Sequence, residues 1–297
     1  MQKLINWWDK YILKIGIIFL LFFIPLYPKL PLLDIVQTWV YVRAEDFLVA
    51  FLVFIFAIEL IRKKVSLQSP LTLPIFIYWF IGLVSVVHAL LFIMPSVSNI
   101  FPHIVVLHYL RRIEYMILFF IAFSSIKSKR DVMHIAISFI AATIGVIVYG
   151  FGQKFLGFPA YLTMNEEFAK GIALIFPPRI TSTFAGHYDL AAFLVLSLSL
   201  LGSLIFGFKR IWSKIVIFII CFGSFIILLL TSSRISFLVY LPSISLMLFL
   251  QRKKWLIIPV IILSLFLMKM IKLSAVTLCD IFSPTLYPTL YKMALAI

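Results

Sequence analysis

The chain has 297 residues, a formal net charge of +15 and a mean hydropathy of +1.15, with 64% hydrophobic and only 12% charged residues. A soluble domain of this length cannot hide so much apolar surface, so its solvent is lipid. The positive charge does not indicate nucleic acid, which needs a continuous basic surface on a soluble fold. Here it falls in short clusters between apolar runs: Arg62, Lys63, Lys64; Lys127, Lys129, Arg130; Lys209, Arg210, Lys214; Arg252, Lys253, Lys254. Cys221 and Cys279 are far apart, which leaves neither a disulfide framework nor a paired-cysteine metal site.

Lys3, Lys10 and Lys14 lead into the first apolar stretch as in a signal peptide. No small-residue cleavage site follows, and Pro25, Pro28 and Pro31 come next, so the segment is read as an uncleaved first span. At about 20 apolar residues per crossing, nine spans fall at 12–27, 46–61, 72–94, 104–125, 133–152, 189–208, 213–230, 234–250 and 255–271. The basic clusters follow spans two, four, six and eight, all on the side of the N-terminus. The opposite loops carry few cations: Lys29, Arg43, Lys154, Lys170, Arg179 and Arg234. That bias places the N-terminus in the cytoplasm, with Trp212 and Trp255 at the inner interface and Trp39 and Tyr41 at the outer one. The expected fold is therefore an all-α polytopic integral membrane protein of about nine transmembrane helices. Residues 1–272 form a single bundle, and 273–297 form a tail with no span pattern. Ala141 and Gly145 in span five let neighbouring helices approach. The longest segment between spans is 153–188. Its stretch Gly171–Phe176 is too short to cross and is expected at the interface or re-entrant, and Pro177-Pro178 end any helix there.

Three polar sites interrupt the apolar pattern. In span four, His108, Arg111, Arg112 and Glu114 lie roughly 6–15 Å below the outer end, a depth at which ionisable groups face protein or a water-filled cavity. Arg111 and Glu114 are i,i+3 neighbours and form the expected structural ion pair. Arg112 points about 100° away and needs another partner, a carboxylate or an anionic ligand. The second site is Arg179-Ile-Thr-Ser-Thr-Phe-Ala-Gly-His-Tyr-Asp189, at the entry to span six. Helix capping explains its hydroxyls and Asp189, but requires neither Arg179 nor His187. The third is Thr231-Ser-Ser-Arg234, whose arginine opposes the charge bias. Guanidinium groups suit phosphate through paired hydrogen bonds. No soluble-enzyme motif is present, neither a phosphate-cradling loop nor a His-Glu-x-x-His helix.

Arg179-x-x-Ser-Thr-Phe184, His187-x-Asp-Leu-Ala191 and the later Thr-Ser-Ser-Arg234 resemble the O-antigen ligase/polymerase superfamily, most clearly over 179–250. These are multi-span glycosyltransferases of the bacterial inner membrane that build cell-envelope polysaccharide. Ser182 stands where the family often has Gly, and Tyr188-Asp189 occupy its usual Asn region. The resemblance implies transfer of a polyprenyl-diphosphate-linked glycan to the hydroxyl of an acceptor glycan or glycolipid at the outer face; metal is not implied, because no carboxylate cluster stands outside to hold Mg²⁺, and no other cofactor is expected. Arg179, Arg234, Ser233 and Arg112 would bind the diphosphate, and His187 would serve as a local catalytic base. The family's own catalytic His lies in a large outer loop beyond the region of resemblance. A chain ending at Ile297 is accordingly expected to be a truncated or frameshifted product. The alternatives are a non-enzymatic lipid-linked glycan transporter and an inactive fragment.

Overall fold

The computed structural model describes residues 2–30, 32, 42–96, 101–161, 173–175 and 177–281, with backbone alone for 2–7, 10, 173 and 271–281. Trp39, Tyr41, Lys170, most of 171–176 and the end of the tail lie outside the described residues. Among the described residues there are nine α-helices: α1 Gln2–Leu26, α2 Ala44–Ile61, α3 Thr72–His88, α4 Pro102–Ser125, α5 Lys129–Phe155, α6 His187–Gly207, α7 Ile211–Leu230, α8 Arg234–Leu250 and α9 Ile257–Ile281. Each covers one of the expected apolar segments. Four of the helical segments, Thr72–Ser96, Lys129–Phe155, His187–Gly207 and Ile211–Leu230, are long and apolar enough to cross a membrane. Along them Phe80, Phe92, Val148, Phe218 and Ile219 are each 60% exposed or more. Rows of bare aromatic and aliphatic side chains on long apolar helices require lipid around them. This is a membrane protein.

Two departures from the expected segments have local causes. The helix through 72–94 changes pitch at Ala89–Ile93, a π turn in which Met94 N–H donates to Ala89 C=O, and then tightens over Met94–Ser96. Pro95 has no N–H for the carbonyl four residues back, so the regular ladder cannot continue. α9 runs past 271 to Ile281, into the segment expected to be tail.

The chain falls into two compact units, one of 1–25 and 30–142, the other of 26–29 and 143–297. α5 contributes its first half to one and its second half to the other. In the first unit Leu13, Ile17 and Leu20 of α1 pack with Val49, Leu52, Ile55 and Phe56 of α2, Ile75 of α3, and Phe120 and Ile121 of α4. The core spacing of three and four residues is that of helix faces. In the second unit α6 is central, burying Leu190, Ala191, Leu194, Leu198, Leu201 and Gly202.

Charges at one end of the first unit bind α1 to its neighbours. Glu59 is 1% exposed. It accepts from the Trp8 indole N–H at 3.0 Å and from Arg62 at 2.6 Å. Arg62 also lies 2.7 Å from Asp9, and Lys64 lies 3.1 Å from its other oxygen. Lys63 takes φ +56° so that Lys64 N–H and Lys63 N–H reach back to the Glu59 and Leu60 carbonyls. Arg252 repeats this at the end of α8, with φ +57° and bonds from Lys253 and Arg252 to Leu248 and Phe249. Glycine is the usual residue in this cap. Here two of the basic clusters occupy it, and their cations meet the negative ends of the helices.

Burial alone would raise the Asp9 carboxyl, but hydrogen bonds from Lys64 and Arg62 outweigh it and hold the group below its ordinary value. Stability from a depressed carboxylate is complete above the unfolded value of about 4 and is lost as pH falls through the folded one. Asp9→Asn should therefore lower thermal stability in detergent by a constant amount from pH 8 to pH 5. Melting curves should show the gap to wild type closing only below about pH 4.

Candidate functional site

The longest segment between helices in the second unit begins where α5 ends. Leu156 and Phe158 N–H groups both return to the Gly152 carbonyl, and Gly157 takes φ +72° to turn the chain. Ala160–Tyr161 (β1) then pairs antiparallel with Ala173–Leu174 (β2), so this part of the expected interfacial stretch is extended. From Ile180 to Gly186 every residue is buried, although the segment is not helical. A buried irregular backbone must have each N–H and C=O satisfied, at a cost of about 1–3 kcal/mol for each that is not.

Gln153 supplies partners for three of those groups. It is fully buried. Its Oε1 accepts from Ser182 N–H at 2.8 Å and Thr181 N–H at 3.3 Å. Its Nε2 donates to Ser182 C=O at 2.9 Å and Pro159 C=O at 3.2 Å. All four hydrogen-bonding positions of one amide are thus used, two as donors and two as acceptors. Ser182 turns at φ +50°, and its hydroxyl donates to the Val146 carbonyl at 2.7 Å. Gly150 leaves space for Ile180 and for Ile227 of α7, since an added Cβ would lie 3.2 Å from the latter. Ile180 N–H then reaches the last carbonyl of α7, Leu230, at 3.5 Å.

This packing brings two of the sequence candidates together. Arg179 Nη1 lies 3.2 Å from His187 Nε2. Arginine can only donate, so the imidazole accepts at Nε2 and is neutral in this arrangement. His187 opens α6, capped by Gly186 with no side-chain acceptor, and its ring lies 4.0 Å from that of Tyr188. The next turn holds the remaining pair. Thr231 Oγ1 donates to Leu228 C=O and accepts from Ser233 N–H. Ser233 caps α8, accepting from Ser236 N–H at 3.3 Å and donating to the Ser236 hydroxyl at 2.8 Å. That leaves Ser233 a structural task, while Arg234 opens α8 exposed. The Ile180–Leu230 bond joins the Arg179 turn to the Arg234 turn. Among the described residues, no carboxylate forms an ion pair with either arginine.

The span-four candidates lie in the first unit. Arg111 pairs with Asp46 of α2 at 2.7 Å, a partner 65 positions away that the i,i+3 pattern did not indicate. Asp46 also accepts from Arg43 N–H at the start of α2. Glu114, the expected partner, lines the same cleft of about 370 Å³ with Asp46 and Arg111. Arg112 is exposed.

No family model, curated protein or solved structure matches this chain.

Gln153 is the residue on which the site is built. Gln153→Leu should leave the Thr181 and Ser182 amides without partners and cost about 2 kcal/mol or more. Melting in detergent reads the loss. Limited proteolysis should show new cleavage within 177–186 and none within α7.

Proposed function

We propose that this chain is a nine-span transferase of the bacterial inner membrane with its N-terminus in the cytoplasm. It moves a glycan from a polyprenyl diphosphate to an acceptor hydroxyl at the outer face. The observation that carries the reading is the buried segment 180–186, locked by Gln153, beside which Arg179 stands on a neutral imidazole and next to the turn bearing Arg234. Two guanidinium groups that form no ion pair among the described residues suit a diphosphate, whose oxygens accept the paired hydrogen bonds the fork offers. The motif resemblance gives that anion its identity.

In the proposed reaction the acceptor oxygen attacks the anomeric carbon and the bond to the diphosphate oxygen breaks. Arg179 and Arg234 offset the charge that grows on the leaving group. Once Arg179 turns from His187 to phosphate, Nε2 is released and can take the acceptor's proton. The same contact that keeps the base occupied in the empty site therefore frees it when the donor arrives. Arg111 pairs with Asp46, and Arg112 is left out of the diphosphate set in this scheme.

The topology part of the reading is supported by the ion pairs of the first unit, which hold the clusters 62–64 and 127–131 near the N-terminal half of α1 through Asp9 and Lys14. With Cys221 and Cys279 removed, Ser128→Cys should react with an impermeant maleimide only after permeabilisation. Labelling in intact spheroplasts would reverse the orientation.

Binding of a polyprenyl diphosphate analogue tests the arginines. Arg179→Lys and Arg234→Lys should each weaken it about ten-fold, since charge is kept and the paired hydrogen bond is lost. Equal binding by both variants and wild type would remove them from the site. Formation of a new glycosidic bond separates a transferase from a transporter, which would only move labelled donor across a liposome.

A further inference from the structure

In the first unit α1 and the first half of α5 are tied at two points. Lys14 Nζ lies 2.8 Å from Asp131 Oδ1, and the Ser138 hydroxyl donates to the Ile18 carbonyl at 3.1 Å. Beside these ties the helices leave a shallow groove of about 560 Å³, walled by Ile15, Phe19 and Phe22 of α1 and by His134 and Ile137 of α5. Its apolar walls are open: Ile15 is 46%, Phe19 49%, Phe22 44% and Ile137 55% exposed. One end of the groove is cationic. Lys127, Lys129, Arg130 and His134 are all exposed at the start of α5. Arg130 and His134 are four apart, and Ile137 and Ser138 continue the same helical stripe along the groove.

The only acid in that turn is already engaged. Asp131 receives hydrogen bonds from Lys14, from the Ser128 hydroxyl at 2.9 Å and from Lys127 N–H at 3.2 Å. The one carboxylate in the turn of Arg130 is thus held by other donors, and Arg130 stands at the positive end of a long helix. An apolar channel leading away from a cation that forms no ion pair among the described residues, at a helix end, has the form of one amphiphile, a chain with an anionic head.

We propose that the groove holds an acyl chain of one anionic phospholipid, with its phosphate against Arg130 and His134. Selectivity resides in the head, because a hydrocarbon chain gains little by leaving other chains for the groove. A basic side chain at an anionic lipid surface is worth about five-fold in binding. The site is separate from the glycan site and independent of that reading.

The test is native mass spectrometry of the full chain, delipidated in detergent and titrated with phosphatidylglycerol or phosphatidylcholine of identical chains. Wild type should retain one phosphatidylglycerol with a preference of about five-fold or more. Arg130→Gln with His134→Gln should bring retention down to the phosphatidylcholine level, while Lys253→Gln leaves it unchanged. A photoreactive tail on phosphatidylglycerol should label peptides containing 15–22 or 134–138. Equal retention of the two lipids by wild type would overturn the proposal. So would an equal loss in Lys253→Gln, or labelling confined to other helices.

Discussion

A single amide, that of Gln153, carries the part of the molecule that departs from plain helix. In a medium without water, non-helical backbone survives only where protein satisfies its polar groups. The segment from Ile180 to Gly186 is buried and irregular, and Gln153 meets two of its N–H groups, one of its carbonyls and the Pro159 carbonyl. Everything at that end of the second unit follows. The turn at Ser182 can be left-handed, Ile180 can reach α7, and Arg179 is delivered to His187. A shorter side chain at 153 would not span these groups, and a carboxylate would supply acceptors without donors while adding a buried charge.

Elsewhere carboxylates near helix ends pair with cations from neighbouring helices or the turns beside them. Glu59 is almost wholly buried, yet its Oε1 holds an indole and a guanidinium from different helices. Asp46 both opens α2 and receives Arg111 from α4. Asp131 organises the first turn of α5 and holds Lys14. Asp46 and Asp131 each join a capping role to a tie between helices, and Glu59 supplies a tie alone, so that few ionisable groups suffice to register a bundle whose apolar faces specify little. The two cap turns at Lys63 and Arg252 place cations where glycine would cost no strain. The gain there is a cation against the negative end of each helix.

The helices were legible because a run of about 20 apolar residues is a strong signal, and their boundaries agree with the apolar runs to within a few residues in most cases. Where they differ, the reason is distant. α1 begins at Gln2 and not near 12, because its polar first turns carry Trp8 and Asp9, whose partners Glu59, Arg62 and Lys64 lie some fifty residues on. Sequence periodicity has no access to such ties, nor to Asp46 as the partner of Arg111. Arg179, His187 and Arg234 stood out as charged or titratable residues against an apolar background. Gln153 did not, since a search for ionisable groups passes over a neutral amide. The clue available was a lone Gln at the end of an apolar helix, between Gly150, Gly152 and the turn at Pro159, where a buried backbone would need it.

Hydrogen–deuterium exchange of the Thr181 and Ser182 amides tests the central claim most directly. In wild-type protein they should exchange as slowly as the amides in the middle of α7, despite lying in an irregular segment. In Gln153→Leu they should exchange faster by orders of magnitude, with α7 unchanged. Rapid exchange at these amides in the wild type would contradict the account, because the segment would then be open to water and not held by Gln153.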